Sequence, residues 1–153
     1  MQIEMTLEDK QQISCDSDEL FSQSTYTVLY FYPKDNTPWC TLEANDFNAL
    51  IDQFHQLNCQ IIGVSKDTHA SHCNFQSKYG LHFPLIIDKD MLFSQKRGVV
   101  WEKSMYGKKY KWIIRSTFLV NNHGEILEKR FNISATDHAK NVLEKVSKVV
   151  MDR

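Results

Sequence analysis

The chain has 153 residues, 42% of them apolar, and 18 Lys and Arg stand against 19 Asp and Glu for a formal net charge of −1. That is the size of one domain, 1–153, able to close a core without disulfides or metal. The even charge excludes a self-repelling disordered chain and gives no reason to expect nucleic acid as a partner.

Strand-like and helix-like segments alternate along the chain. Residues 26–32 are a continuous apolar run and read as a strand buried on both faces. Residues 37–57 carry Ala44, Phe47, Leu50, Ile51, Phe54 and Leu57 at three- and four-residue spacing, which predicts one helix. Residues 60–65 are a second strand. Asp67 or Thr68 caps a helix that runs to Tyr79 and stops at Gly80. Residues 83–88 are a third strand, placed towards a sheet edge by Pro84. A short helix at 91–96 leads into an aromatic and basic connection over 98–111. Residues 115–120 and 125–131 form a hairpin across Asn121, Asn122, His123 and Gly124. A final helix over 136–150 presents Ala139, Val142, Leu143, Val146 and Val150 on one face. The order β-α-β-α-β, then a β-hairpin, then α, is an α/β sandwich with a mixed sheet and contains the thioredoxin arrangement.

No run of about 18 apolar residues exists, so no membrane span is expected. Met1, Gln2, Ile3, Glu4 and Met5 lack the basic and apolar regions of a secretory signal, which makes the cytoplasm the default location. Cys15, Cys40, Cys59 and Cys73 are then expected as reduced thiols, and any disulfide as catalytic.

The strongest chemical signal is Cys40, where the strand at 26–32 turns into the first long helix. Thr37 suits the N-cap and Pro38 the first helical position, so Cys40 falls third. That position commonly holds a carboxylate, because unpaired backbone N–H groups and the helix dipole favour negative charge there. A thiol in this place is favoured as thiolate, its nucleophilic form.

Pro33, Thr37 and Cys40 share type and spacing with the peroxiredoxin signature, and the chain resembles in particular the bacterioferritin-comigratory protein group, also called peroxiredoxin Q. Cys40, Thr41 and Glu43 continue the group's pattern. So do Val64 to Asp67, Ser71 and His72, Lys78 to Leu81, Phe83 to Leu85, Met105 to Lys108, and Arg115 to Val120. The resemblance covers roughly residues 26–150. It departs at Trp39, where the group commonly has Gly, and at Asn45, where many members have a resolving cysteine. The opening segment also lacks the family's Ala-Pro-x-Phe.

The resemblance implies a thioredoxin-like fold and a thiol-dependent peroxidase for hydrogen peroxide and organic hydroperoxides, with no metal or organic cofactor. Cys40 is then the peroxidatic nucleophile and passes through a sulfenic acid. Thr37 accepts from the peroxide, Arg115 is the active-site arginine, Pro33 shields the sulfur and Glu43 holds the arginine. Spacing alone does not select Arg115 from Arg97 and Arg130. Cys73, on the helix where some members carry theirs, is the candidate resolving cysteine. The implied reductant is thioredoxin-like or glutaredoxin-like, and the expected state is a monomer.

Plainer readings stand beside these. Cys59 reads as core, Cys15 as an exposed bystander, and Cys73 is balanced between resolving partner and ordinary helix residue. His69, His72 and Cys73 lack the ligands of a metal site and read as a solvated helix face. Lys103, Lys108, Lys109 and Lys111 form a basic patch too weak to imply nucleic acid. The rival functions are a general thiol-disulfide oxidoreductase, disfavoured because Thr37 stands where a Cys-x-x-Cys has its first thiol, and a non-catalytic thioredoxin-fold chaperone or binding module.

Overall fold

A computed structural model describes residues 1–131, 134 and 136–152. The chain opens with an antiparallel hairpin, β1 (Gln2–Thr6) and β2 (Gln12–Asp16), followed by the short helix α1 (Ser17–Ser22). Strand β3 (Tyr26–Phe31) is buried at every position, as its unbroken apolar run requires.

The predicted single helix over 37–57 is two, α2 (Pro38–Ala49) and α3 (Ile51–Gln56), broken at Leu50 with φ −103° and ψ 7°. No Gly or Pro marks the break. Its cause is tertiary: the Asn48 side chain donates to the Gly80 carbonyl and accepts from the His82 N–H, which ties the end of α2 to a distant turn.

Strand β4 (Cys59–Ser65) lies parallel to β3, and helix α4 (His69–Tyr79) follows it. Thr68 caps α4 by accepting from the Ser71 N–H, and Gly80 closes it with φ +61°. Strand β5 (Leu85–Ile87) is not at an edge. It is paired on one side with β4 and on the other with β1. Pro84 sits just ahead of the strand, where its carbonyl accepts from Gly63 and no N–H is needed, so the proline does not block the pairing.

After α5 (Leu92–Lys96), the segment expected as a connection is a separate hairpin, β6 (Val100–Met105) and β7 (Lys108–Ile113). Tyr106 and Gly107 join the strands with φ of +52° and +76°. Positive φ at both central residues is the twist that a two-residue hairpin turn requires. Strands β8 (Ser116–Asn121) and β9 (Ile126–Arg130) form the predicted hairpin, and α6 (His138–Met151) is the predicted last helix.

The main sheet runs β2-β1-β5-β4-β3-β8-β9. Alternation along β3 feeds two cores. Tyr26, Val28, Tyr30 and Tyr32 join Cys40, Ala44, Phe47, Phe54, Phe75, Val142 and Val146 beneath α2, α3, α4 and α6. Leu29 and Phe31 join Leu20, Phe21 and Phe93 beneath α1 and α5. Helices thus cover both faces, the arrangement expected of the thioredoxin-like fold. No helix among the described residues is long and apolar enough to cross a membrane.

Candidate active site

The strand-to-helix junction is built as its residues predict. Thr37 is the N-cap of α2 and Pro38 opens the helix, so Cys40 is its third residue. One detail differs. The Thr37 hydroxyl does not cap the helix; it donates to the Lys34 carbonyl at 3.0 Å. The hydroxyl proton is thereby committed away from the site, and the oxygen keeps lone pairs for an incoming donor. Pro33 is half-buried at the end of β3, and Asn36 turns the loop with φ +63°.

Cys40 is only 2% exposed and belongs to the core beneath α2 rather than to its rim. Its polar neighbour is Arg115, which immediately precedes β8. Arg115 Nη2 donates to Cys40 Sγ at 3.2 Å, and Nη1 donates to Glu43 Oε1 at 2.6 Å. One rigid guanidinium fork therefore bridges the third and sixth residues of α2. Glu43 has no exposed surface, and among the described residues its second oxygen Oε2 has no hydrogen-bond partner.

The electrostatics follow from that burial. Removal from water pushes the Glu43 carboxyl up to about 7, against the pull of Arg115. Burial disfavours the Arg115 charge, but Glu43 and Cys40 outweigh it and move its pKa up. The arginine is the partner that keeps its charge throughout.

The loop carrying Pro33 and Thr37 is fastened from the side by groups that sequence reasoning left without roles. Asp35 accepts from the Tyr32 hydroxyl at 2.6 Å and from Ser71 Oγ at 2.9 Å, and it meets His72 Nδ1 at 2.7 Å. His72 Nε2 lies 3.0 Å from the Ile86 carbonyl, an acceptor only, so Nε2 carries a proton and a second proton lies between Nδ1 and Asp35. Asp67 accepts from the Asp35 N–H and from Ser65 Oγ. His72 is completely buried, so the expected solvated face of His69, His72 and Cys73 is corrected: His72 turns inward, in helical phase with buried Phe75 and Gln76. That phase was the signal available in the sequence.

Cys73 is not beside Cys40. It is half-buried, with Sγ near His69 and the Lys10 carbonyl at the β1–β2 turn. His69 in turn contacts Thr6 on β1. In the sheet, β1 and β8 are separated by four strand spacings, about 19 Å. Of the other two thiols, one is as expected and one is not. Cys59 is core, and burial pushes it up to about 12. Cys15 is half-buried rather than exposed, with Sγ 3.8 Å from Met5 Sδ. Among the described residues, no group of three or more His, Cys, Asp or Glu is placed to hold a metal ion.

Of the two departures near Cys40, Trp39 is 60% exposed and extends into solvent, and Asn45 is exposed on the outer face of α2. The three candidate arginines are also separated. Arg97 lies over the Phe93 ring at 3.9 Å on the opposite face of the sheet, and Arg130 is exposed on β9.

Comparison with known proteins gives the family. Residues 2–129 match the AhpC/TSA family. A putative peroxiredoxin bcp of Helicobacter pylori is 48% identical over 118 residues, covering 76% of this chain and 77% of its own. Peroxiredoxin Bcp of Xanthomonas campestris is 44% identical over 118 residues, covering 77% and 74%. A solved structure of the Xanthomonas campestris bacterioferritin comigratory protein, a trapped intermediate/ligand complex described for alkyl peroxide reduction activity, has a TM-score of 0.85. It is 35% identical and is matched over 98% of this chain and 92% of that one. AhpC of Enterococcus faecalis, at 19% identity and a TM-score of 0.80, shares the fold.

Proposed function

This chain belongs to the AhpC/TSA family, as a peroxiredoxin of the bacterioferritin-comigratory protein group and thus a thiol-dependent peroxidase, and from that premise we infer that Cys40 is its peroxidatic nucleophile. The observation that carries this reading is the fork of Arg115, which reaches both the Cys40 sulfur and buried Glu43.

The chemistry follows from the positions of the donors. The Cys40 thiolate attacks one peroxide oxygen, the O–O bond breaks, and the other oxygen leaves as water or an alcohol. Sulfur becomes a sulfenic acid. Arg115 donates to the charge that moves from sulfur towards the leaving oxygen, and it does so without reorganising because Glu43 holds it. Thr37 accepts from the peroxide O–H and aligns it with the sulfur. Pro33, half-buried just after β3, keeps water from the sulfur. Hydrogen peroxide and organic hydroperoxides are the substrates.

Cys73 then condenses with the sulfenic acid, and a thioredoxin-like or glutaredoxin-like protein reduces the resulting disulfide. A disulfide needs Cα atoms about 5–6 Å apart, so the first turn of α2, of α4 or of both must come away. That requirement also favours a second reading, a one-cysteine cycle in which an external thiol resolves Cys40. A monomer in the reducing cytoplasm suits either cycle, both of which start from the free thiols of Cys40 and Cys73. No nucleic acid enters the reading.

The test is peroxide consumption by Cys40→Ser with thioredoxin and its reductase supplied. We expect a loss of about a thousandfold or more. Full activity in that variant would overturn the assignment. Peptide mapping after one equivalent of peroxide separates the two cycles by whether a Cys40–Cys73 link forms.

A further inference from the structure

Cys73 has around it the parts of a base-assisted thiol. Its Sγ lies 3.4 Å from His69 Nε2 and 3.9 Å from Nδ1, over the imidazole ring. The two residues are four apart on α4, a spacing that places their side chains on one face. The other ring nitrogen, Nδ1, is 2.7 Å from Thr6 Oγ1 on β1. Thr6 has no exposed surface, so its hydroxyl is a fixed point that sets the orientation of the ring. Nucleophile, base and orienting group thus stand together, drawn from a helix and from a strand far away in sequence.

We propose that His69 is the base that accepts the Cys73 proton as Cys73 attacks the oxidised Cys40, with Thr6 positioning the imidazole. The proposal rests on the reading of Cys73 as the resolving thiol. With Nδ1–H donated to Thr6 Oγ1, Nε2 keeps its lone pair, and a turn of the Cys73 side chain about χ1 brings the S–H onto it. A bond forms between the two sulfurs and the S–O bond of the Cys40 sulfenic acid breaks. The departing hydroxide collects the proton that His69 took from Cys73 and leaves as water. The Cys73 sulfur is oxidised and the Cys40 sulfur reduced by the same amount, so no outside oxidant or reductant enters. When the first turn of α2 comes away to bring Cys40 to Cys73, His69 and Cys73 keep their places on α4 beside Thr6.

Position 69 is well suited to this role. His69 is the first residue of α4, and its neighbour His72 has both ring nitrogens engaged, at Asp35 and Ile86. His69 has one nitrogen anchored at Thr6 and its ring against the thiol. Two histidines three residues apart therefore serve different ends, one inside the fold and one at its surface.

The experiment is stopped-flow oxidation of the reduced full-length protein with one equivalent of hydrogen peroxide, with acid-quenched samples analysed by mass spectrometry for Cys40 sulfenic acid and for the Cys40–Cys73 disulfide. In His69→Ala, disulfide formation should slow by about 100-fold relative to wild type, and added imidazole should restore part of the rate. His69→Gln, which keeps a hydrogen-bonding side chain for Thr6, should be slowed to a similar degree. Wild-type disulfide rates in either variant overturn the role of His69, as does a slowed rate that imidazole leaves unchanged. Cys73→Ser separates this from failure of the underlying reading. If its sulfenic acid disappears as fast as in wild type, Cys73 does not resolve Cys40, and the inference falls with it. If the sulfenic acid persists while His69→Ala behaves as wild type, only the role of His69 is lost.

Discussion

Cys40 and Cys73 both lie within the first turn and a half of a helix on the same side of the sheet, yet their surroundings are opposite in kind. Cys40 is buried against Arg115, a permanent cation locked by a carboxylate that has no exposed surface. Cys73 is half-exposed against His69, a neutral-capable ring held by a threonine hydroxyl. The difference teaches what each step needs. Splitting an O–O bond needs fixed donors where charge develops, whereas condensing a thiol with a sulfenic acid needs somewhere for a proton to go. One fold supplies a charge clamp to the first thiol and a proton acceptor to the second.

The comparison breaks most decisively at the clamp. Arg115→Ala should lower kcat/KM for peroxide by about 100- to 1000-fold, and Arg115→Lys should recover little of it, because an ammonium cannot reach Sγ and Glu43 with one rigid fork. Steady-state kinetics checks this, and a lysine variant at the wild-type rate would show that charge alone suffices.

Between the two sites lies Asp35, which ties the Cys40 loop to the α4 residues Ser71 and His72. Asp35→Asn leaves His72 without its charged partner in a buried place. A loss of about 3 kcal/mol in urea denaturation is expected.

A smaller effect belongs to substrate alignment. Thr37→Val removes the acceptor lone pairs but keeps the shape, and it should cost about tenfold in kcat/KM with little change in the disulfide step. An equal slowing of both steps would mean that Thr37 acts on the loop and not on the peroxide.

The smallest effect is in the pH dependence of stability. Glu43 moves up from 4.5 to about 7, so the stability it contributes is complete below pH 4.5 and is lost as pH rises through 7. His138, bonded to Thr117 at 2.6 Å, is pushed down from 6.5 to about 4 by burial and then by Arg130 and Arg115. Its contribution is present above pH 6.5 and is lost as pH falls through 4. The two slopes oppose each other between pH 4.5 and 6.5. Glu43→Gln should therefore make stability rise more steeply with pH across that window, as read from urea midpoints, and should remove the decline towards pH 7. An unaltered profile would mean that Glu43 stays ionised in the fold.

Much of this molecule was legible in the chain. The strand at β3, the cap and proline of α2, the third-position cysteine, the Thr68 cap, the Gly80 stop and the β8–β9 hairpin are all set by neighbours within a few residues. Local rules fail where a distant group intervenes. Leu50 breaks a helix because Asn48 is held by residues 80 and 82. Strand β5 lies inside the sheet because β1 pairs with it, and nothing near Pro84 announces that partner. The β6–β7 hairpin is a different case, since Tyr106-Gly107 with positive φ was a turn that sequence reasoning could have found.

By itself, then, the sequence determined an activated-looking thiol at a strand-to-helix junction, because turn chemistry, helix capping and the helix dipole act over one or two turns. Tertiary structure decided everything that thiol meets. Arg115 finds Glu43 and Cys40 across 72 and 75 residues, and His72 finds Asp35 across 37. Thr6 finds His69 across 63, which turns Cys73 from one more helix residue into a thiol with a base. Hydrogen bonds and charge act over a few ångströms of space, and only the closed sheet brings such distant residues within that range.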